Sequence, residues 1–283
     1  MPALIDIRRR IRSVKNTQQI TKALKMVSAA KLRRAQEGMF AARPYARTMA
    51  QVLKDVAARS EGEQNHPLFR ETSKDGRVLV IVVTSDKGLC GAFNSSLLRV
   101  SQRFLADNTH REVLADAVGR KGRDFLRRRT TVRKEYIGIF QSLTYARAQE
   151  IAQSAMDAFL SREVDEVVLL YNEFKSVIQQ RIVTNRLLPL DAVEEKTKGT
   201  QDYLYEPDAR TIFDKLLPKV VEIAVWQALL ESNAAEHGAR MAAMDSATRN
   251  ASQTIDSLTL YMNKVRQAAI TKEIIEVVSG SAA

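Results

Sequence analysis

Two apolar repeats with 4-3 spacing, one at each end of the chain, constrain this sequence more than any other feature. The first follows Ile7, Ile11, Val14, Gln18, Thr21, Lys25, Ser28, Leu32, Ala35, Met39, Ala42, Ala46, Met49, Leu53 and Val56. The second follows Leu230, Ala234, His237, Met241, Met244, Thr248, Ala251, Ile255, Leu258, Met262, Val265, Ala269 and Lys272. A 4-3 repeat held over this length marks a coiled-coil seam rather than an ordinary amphipathic helix on a globular core. In the first repeat the polar positions are consecutive, Gln18 to Ser28. There the apolar stripe is expected to shift one position back, to Ile20, Leu24 and Val27. Pro44 and Pro218 are expected to kink or restart their helices, and Gly280 to stop the last one.

Between the repeats the pattern changes. The segments 77–84, 112–118, 130–139 and 165–174 read as strands, and 176–188 alternates like an edge strand. Helical patterns fall at 95–106, 121–128 and 145–162. Alternating strand and helix predict a mainly parallel, doubly wound sheet, an α/β fold of Rossmann-like type. Polar stretches broken by Gly and Pro read as linkers. The division is therefore 1–58 helix, 59–76 linker, 77–190 α/β domain, 191–208 linker and 209–283 helix. Both terminal helices have their feet on the α/β domain, so they share a seam only by running antiparallel. Fifty helical residues span roughly 75 Å, so such a pair is expected to project beyond the domain and to need a sheath.

Charge says what the sheath is like. The 283 residues carry a net +11, and the whole excess lies in residues 1–60. The partner of that segment is expected to be acidic. The cations circle the helix instead of following one edge: Arg8, Arg9 and Arg10 alone span most of its circumference. No aromatic residue lies between Met1 and Met39 to stack on bases. An encircling acidic protein fits better than a nucleic acid. An Arg-rich N-terminus also suggests an organellar presequence, but the helical pattern runs on without a small-residue cleavage site. The purest apolar run, 78–83, is far too short to span a bilayer.

Signs of bond chemistry are sparse. His66, His110 and His237 lack companions at metal-ligand spacing, and no nucleophile–base arrangement stands out. The loop "TSDKGLCGAFN" (84–94) follows a strand and opens a helix, where phosphates bind in α/β folds. It matches neither glycine-rich phosphate motif. The one cysteine, Cys90, permits no disulfide within the chain.

Long stretches of the text are recognisable: "DIRRRIRSVKNTQQITKALKMVSAAKLRRAQ", "TSDKGLCGAFN", "DYLYEPD", "ARMAAMDSATRNA" and "NKVRQAAITKEIIEVVSG". In this order, over essentially the whole chain, they resemble the gamma-subunit family of F-type ATP synthases. The resemblance implies a non-catalytic central stalk without cofactor, turning inside a ring of alpha and beta subunits. It implies contacts with the epsilon subunit and the c-ring, and attachment to the cytoplasmic face of a bacterial inner membrane only through the complex. It also implies contacts with the beta subunit at Lys22, Leu24, Lys25 and Met26, and at Arg240, Arg266, Gln267, Thr271 and Glu273. Lys87 and Cys90 would make a lower contact. The cysteine pair of the chloroplast form is missing, so no thiol switch is expected. The start of the text favours a bacterial source over one with a transit peptide. The Arg-rich stretch 107–135 matches no motif. An enzyme using the Gly88–Gly91 loop and a coiled-coil nucleic-acid binder are the rival readings.

Overall fold

The computed structural model describes residues 2–57, 66–70, 72–73, 75–177, 179–190 and 209–281. The second linker, with its "DYLYEPD" motif, lies outside the described residues, as do 59–65 of the first linker and the side chains of Leu53 and Val56. The chain separates into two compact units, residues 1–29 with 240–283, and residues 30–239. Two long helices run through both: α1 (Pro2–Ala57) and α5 (Ala209–Ser281).

The larger unit is built on a five-stranded sheet of order β3-β2-β1-β4-β5. The strands are β1 (Val78–Val83), β2 (Val113–Val118), β3 (Thr131–Tyr136), β4 (Glu166–Phe174) and β5 (Gln180–Leu188). The first four pair in parallel and β5 joins antiparallel at one edge. β1 sits at the centre, and every residue of its "VLVIVV" is buried. That explains its unbroken apolar run, because a parallel strand is covered on both faces.

One face carries α2 (Phe93–Asp107) and α3 (Arg120–Leu126), with Leu97 and Leu126 packed on Val78, Val80 and Val82. The other carries α4 (Tyr145–Leu160), with Ile151, Met156 and Phe159 packed on Leu79, Ile81 and Leu169. The first turns of α5 join this second layer through Phe213, Leu217, Val221 and Leu229. This is the doubly wound arrangement expected from the alternation of elements. The chain reverses direction across the sheet between β1 and β4, so the loop after β1 opens into the crevice typical of such folds.

The Arg-rich stretch has a structural reading. Arg133 turns inward from edge strand β3 and pairs with fully buried Asp116 at 2.5 Å. Its guanidinium also donates to the Ser154 carbonyl and hydroxyl on α4. Arg127 pairs with Glu135, and Arg129 lies 3.8 Å over the Phe125 ring. Charges along a free edge discourage pairing with another chain.

In the smaller unit α1 and α5 run antiparallel. Thr21 and Thr248 meet at 2.8 Å, and Lys25 meets Asp245 at 2.6 Å. Leu4 and Ile7 are buried, as are Met244 and Ala251. Here the structure corrects the sequence reading. The stripe does not move to Ile20, Leu24 and Val27: Ile20 is 60% and Val27 53% exposed, while Thr21 and Ser28 are buried. The seam keeps its strict spacing through polar residues. Thr21 and Ser28 donate to carbonyls of their own helix, those of Gln18 and Leu24, and the one proton of Thr248 is within reach of both the Met244 carbonyl and the Thr21 hydroxyl. A small hydroxyl satisfied this way crosses a seam at little cost and lets the backbones approach closely. Replacing Thr21 and Thr248 with Val, singly and together, should give a coupling of about 0.5–1 kcal/mol in a double-mutant cycle read by thermal unfolding.

The two prolines neither break nor restart their helices, which run uninterrupted through Pro44 and Pro218. Pro44 is exposed, so the carbonyl freed four residues earlier can turn to water. Nor does Gly280 stop α5, which is helical to Ser281.

Candidate functional site

Counting in opposite directions from the Thr21–Thr248 contact places Pro2 opposite Gln267. Beyond that point α5 continues to Ser281 with no part of α1 facing it. Its apolar residues there are bare: Ile274 58%, Val277 72% and Val278 61% exposed. Thr271 and Glu273 lie on this exposed stretch and Arg266 and Gln267 are exposed at its start, whereas Arg240 is half-buried. Lys272 pairs with Glu276 one turn on, a surface bridge of little energetic weight.

A second exposed surface flanks the seam on α1. Ile20 and Val27 lie to one side, Lys22 and Met26 to the other, and Met26 is 65% exposed. Leu24 is half-buried. Lys25 is engaged across the seam by Asp245, which also bonds Arg249 at 3.2 Å. The hydrogen bond from Lys25 holds the Asp245 carboxyl below the usual carboxylate range. The sequence reading placed Lys25 with the outward cations. The structure makes it a rivet between the two helices.

The third surface is the loop after β1. Asn94 accepts from the Ser85 amide at 3.1 Å and donates to the Ser85 hydroxyl at 2.8 Å and to Cys90 Sγ at 3.2 Å. Ser85 donates to the Lys87 carbonyl at 2.6 Å. Asp86 accepts from the amides of Arg120 and Gly138, fastening the loop to the ends of β2 and β3. The polar side chains of this loop are thus directed at the loop and its neighbours.

Cys90 is 2% exposed and fixes the loop from inside, so its predicted role as a contact residue does not fit its burial. Lys87 is exposed. The residue presented outward beside it is Leu89, 66% exposed at φ 61°. Sequence reasoning missed Leu89. The available signal was a large apolar residue between Gly88 and Gly91, in a turn whose positive φ disfavours it.

No group of three or more His, Cys, Asp or Glu side chains able to hold a metal occurs among the described residues. Likewise, no described helix is long and apolar enough to cross a membrane. The buried acid Glu222 on α5 serves packing. It accepts from Tyr145 and Gln149 of α4, at 2.8 and 3.0 Å, and from Lys219 at 2.9 Å. Burial alone raises its carboxyl, but these hydrogen bonds prevail and hold it below the ordinary value of 4.5. A depressed carboxyl stabilises the fold above its unfolded value, and this is lost as pH falls through the folded one. Glu222→Gln should therefore cost about 1–2 kcal/mol at pH 7. The gap to wild type should narrow as pH falls below 4.5 and through the depressed folded value, read in unfolding curves.

Comparison with known proteins identifies the family. The ATP synthase family model matches residues 3–283. An ATP synthase gamma chain of Solibacter usitatus (strain Ellin6076) is 52% identical, covering 100% of this chain and 99% of that one. One from Geobacter sp. (strain M21) is 48% identical, covering 99% and 98%. Among solved structures, the central stalk and c-ring of Tetrahymena thermophila mitochondrial ATP synthase aligns with TM-score 0.63 at 28% identity, over 81% of this chain and 99% of that one. A Euglena gracilis mitochondrial ATP synthase structure aligns with TM-score 0.68 over 100% of this chain and 94% of that one, and at 19% identity shows the fold alone. With its antiparallel helix pair, its doubly wound sheet and full-length similarity of this order, the chain belongs to the ATP synthase gamma-chain family.

Proposed function

We propose that this chain is the turning shaft of a bacterial ATP synthase, coupling proton flow through the membrane sector to conformational cycling of the catalytic beta subunits. The observation that carries this is the closed seam of the helix pair beside an outer surface left bare and cationic. Thr21, Ser28 and Met244 are buried between the helices, while Ile20, Met26, Val27 and the end of α5 are exposed. Apolar surface of that kind calls for a surrounding partner. A basic helix within an acidic collar is attracted without being held at one angle, which suits a rotating part. Because the shaft is asymmetric, each beta site meets a different side of it, and rotation exchanges their conformations.

In this reading residues 1–58 and 209–283 form the shaft and 77–190 the foot. Lys22, Leu24, Met26, Arg240, Arg266, Gln267, Thr271 and Glu273 face the alpha–beta ring. Lys87 and Leu89 make the lower contact, with Cys90 and Lys25 holding their neighbours in place. The foot meets the epsilon subunit and the c-ring, and the complex fixes the chain peripherally to the cytoplasmic face of the inner membrane. The chain itself carries out no bond chemistry.

The test is native mass spectrometry of the chain affinity-purified from its own membranes, with ATPase assayed on the same sample. One copy within a ring of two nucleotide-binding subunits, with activity, supports the shaft. A monomer or homodimer, from membranes that hold intact synthase, overturns it. Neutralising Lys22, Lys31 and Arg34 together as Gln should lower assembly yield or coupled synthesis several-fold, and the difference from wild type should shrink at higher salt, which screens the attraction the cations supply. Unchanged values for both would remove the charge argument.

A further inference from the structure

Within the larger unit, α1, α4 and α5 line a cavity of about 320 Å³ that is open to solvent on one side. Met39 and Ala42 of α1, Tyr145 of α4, and Ile223, Trp226 and Leu230 of α5 make its walls. The space has a sequence cause. Ala42 and Ala46, one turn apart, present single methyl groups where the neighbouring turn presents Met39. Pro44 lies between them and removes one backbone bond from that turn. The volume falls at the small end of the range for ligand sites, and the walls are mainly apolar and aromatic. Tyr145 and Trp226 meet edge to face at 5.9 Å. The Tyr145 hydroxyl is engaged by Glu222, so its ring is held in place.

Among the described residues one cation lines this cavity. Arg43 lies 5.0 Å over the Phe40 ring and reaches only the Met39 sulfur, at 3.9 Å. Among the described residues the carboxylate that acts on it is that of buried Glu231 on α5, which accepts from Gln227 and makes no ion pair with Arg43. An apolar chamber fixed by aromatic rings, with a guanidinium at its wall that feels the charge of buried Glu231 but makes no ion pair with it, suits a compact body carrying one negative charge.

We propose that this cavity is a binding site for a small flat apolar anion of the aryl carboxylate or aryl sulfonate class. The ring system lies against Trp226, Tyr145 and Ile223, and the anionic group pairs with Arg43. The site is separate from the exposed surfaces of the shaft and goes beyond the coupling function.

Trp226 is the chain's single tryptophan, so it reports occupancy directly. The probe is 8-anilinonaphthalene-1-sulfonate added to the purified full chain, with emission sensitised by exciting tryptophan. Saturable sensitised emission at one probe per chain is expected. Arg43→Gln should weaken the affinity about ten-fold by removing the charge-assisted pair. Ala46→Leu, which fills the chamber, should abolish the sensitised emission. Circular dichroism melting of both variants checks that they remain folded, and Arg43→Gln alters only a half-buried side chain.

Emission that never saturates overturns the proposal, because it reports general adhesion to the bare apolar residues. Affinity unchanged in both variants overturns it equally. The same titration in the assembled ATPase, compared with an assembly carrying Trp226→Phe, separates the remaining occupant. Loss of the Trp226-dependent signal there means that a partner subunit's side chain fills the cavity, and the small-molecule site is refuted.

Discussion

Asp116→Ala will lower the stability of the α/β unit by about 3–5 kcal/mol, because it leaves the Arg133 guanidinium charged and nearly dry beneath α4. Asp116 is fully buried and Arg133 only 13% exposed on its side chain. The carboxylate accepts two guanidinium bonds and the Lys134 amide. Glu163, 4.0 Å from Arg133, is too distant and too exposed to replace it. The paired replacement Asp116→Leu with Arg133→Met should restore most of the loss, since two apolar side chains leave no charge unpaired. Urea unfolding followed at Trp226 reads both, because that residue lies in the same unit. A single-variant loss below 1 kcal/mol would show that water reaches this pair.

Gly119→Ala will be the most damaging of the small substitutions, at more than about 3 kcal/mol. Gly119 has φ 85° and ψ 148°, a region essentially reserved for glycine. A Cβ there would stand 2.2 Å from the Thr84 carbonyl oxygen. Relief requires moving the end of β1, and with it the loop that presents Lys87 and Leu89. The variant should therefore lose coupled activity even where it still folds. Gly88→Ala is the control: a Cβ there meets nothing within 4 Å, so its stability should stay within about 0.5 kcal/mol of wild type. Similar melting temperatures for the two variants would refute the argument.

The strands and connecting helices were legible because each buries a continuous face, and periodicity reports faces. Edge strand β5 was legible by alternation, although it begins at Gln180, later than the pattern suggested. The seam was misread at one place for a definite reason. Counting apolar residues favours Ile20 and Val27, but helix geometry carries a straight seam through Thr21 and Ser28. Their hydroxyls bond inward to their own helices, and hydropathy does not register that.

Surface residues were harder to read. The motif named Cys90, yet its thiol points into the loop and Leu89 points out. Deciding between adjacent residues required the positive φ at Leu89 and the Asn94 hydrogen bonds, neither of which has a period. Lys25 raised the same difficulty: the repeat places it on the seam and the motif makes it an outward contact, and only Asp245, 220 positions away, shows that its half-exposed ammonium is engaged across the helix pair.

The stretch of α5 past Gln267 bears on how the chain enters its complex. A lone helix of this length is marginal in water, because starting a helix is costly and nothing from α1 covers it. In the free chain its amides should exchange with solvent within seconds, while those of the paired stretch are protected far longer. If the stretch docks in the ring as proposed, ordering it is part of that step, and the entropy lost lowers the affinity. On the proposed reading the tip of the shaft is completed by the bearing that receives it, and hydrogen exchange slowing there would time the moment of insertion.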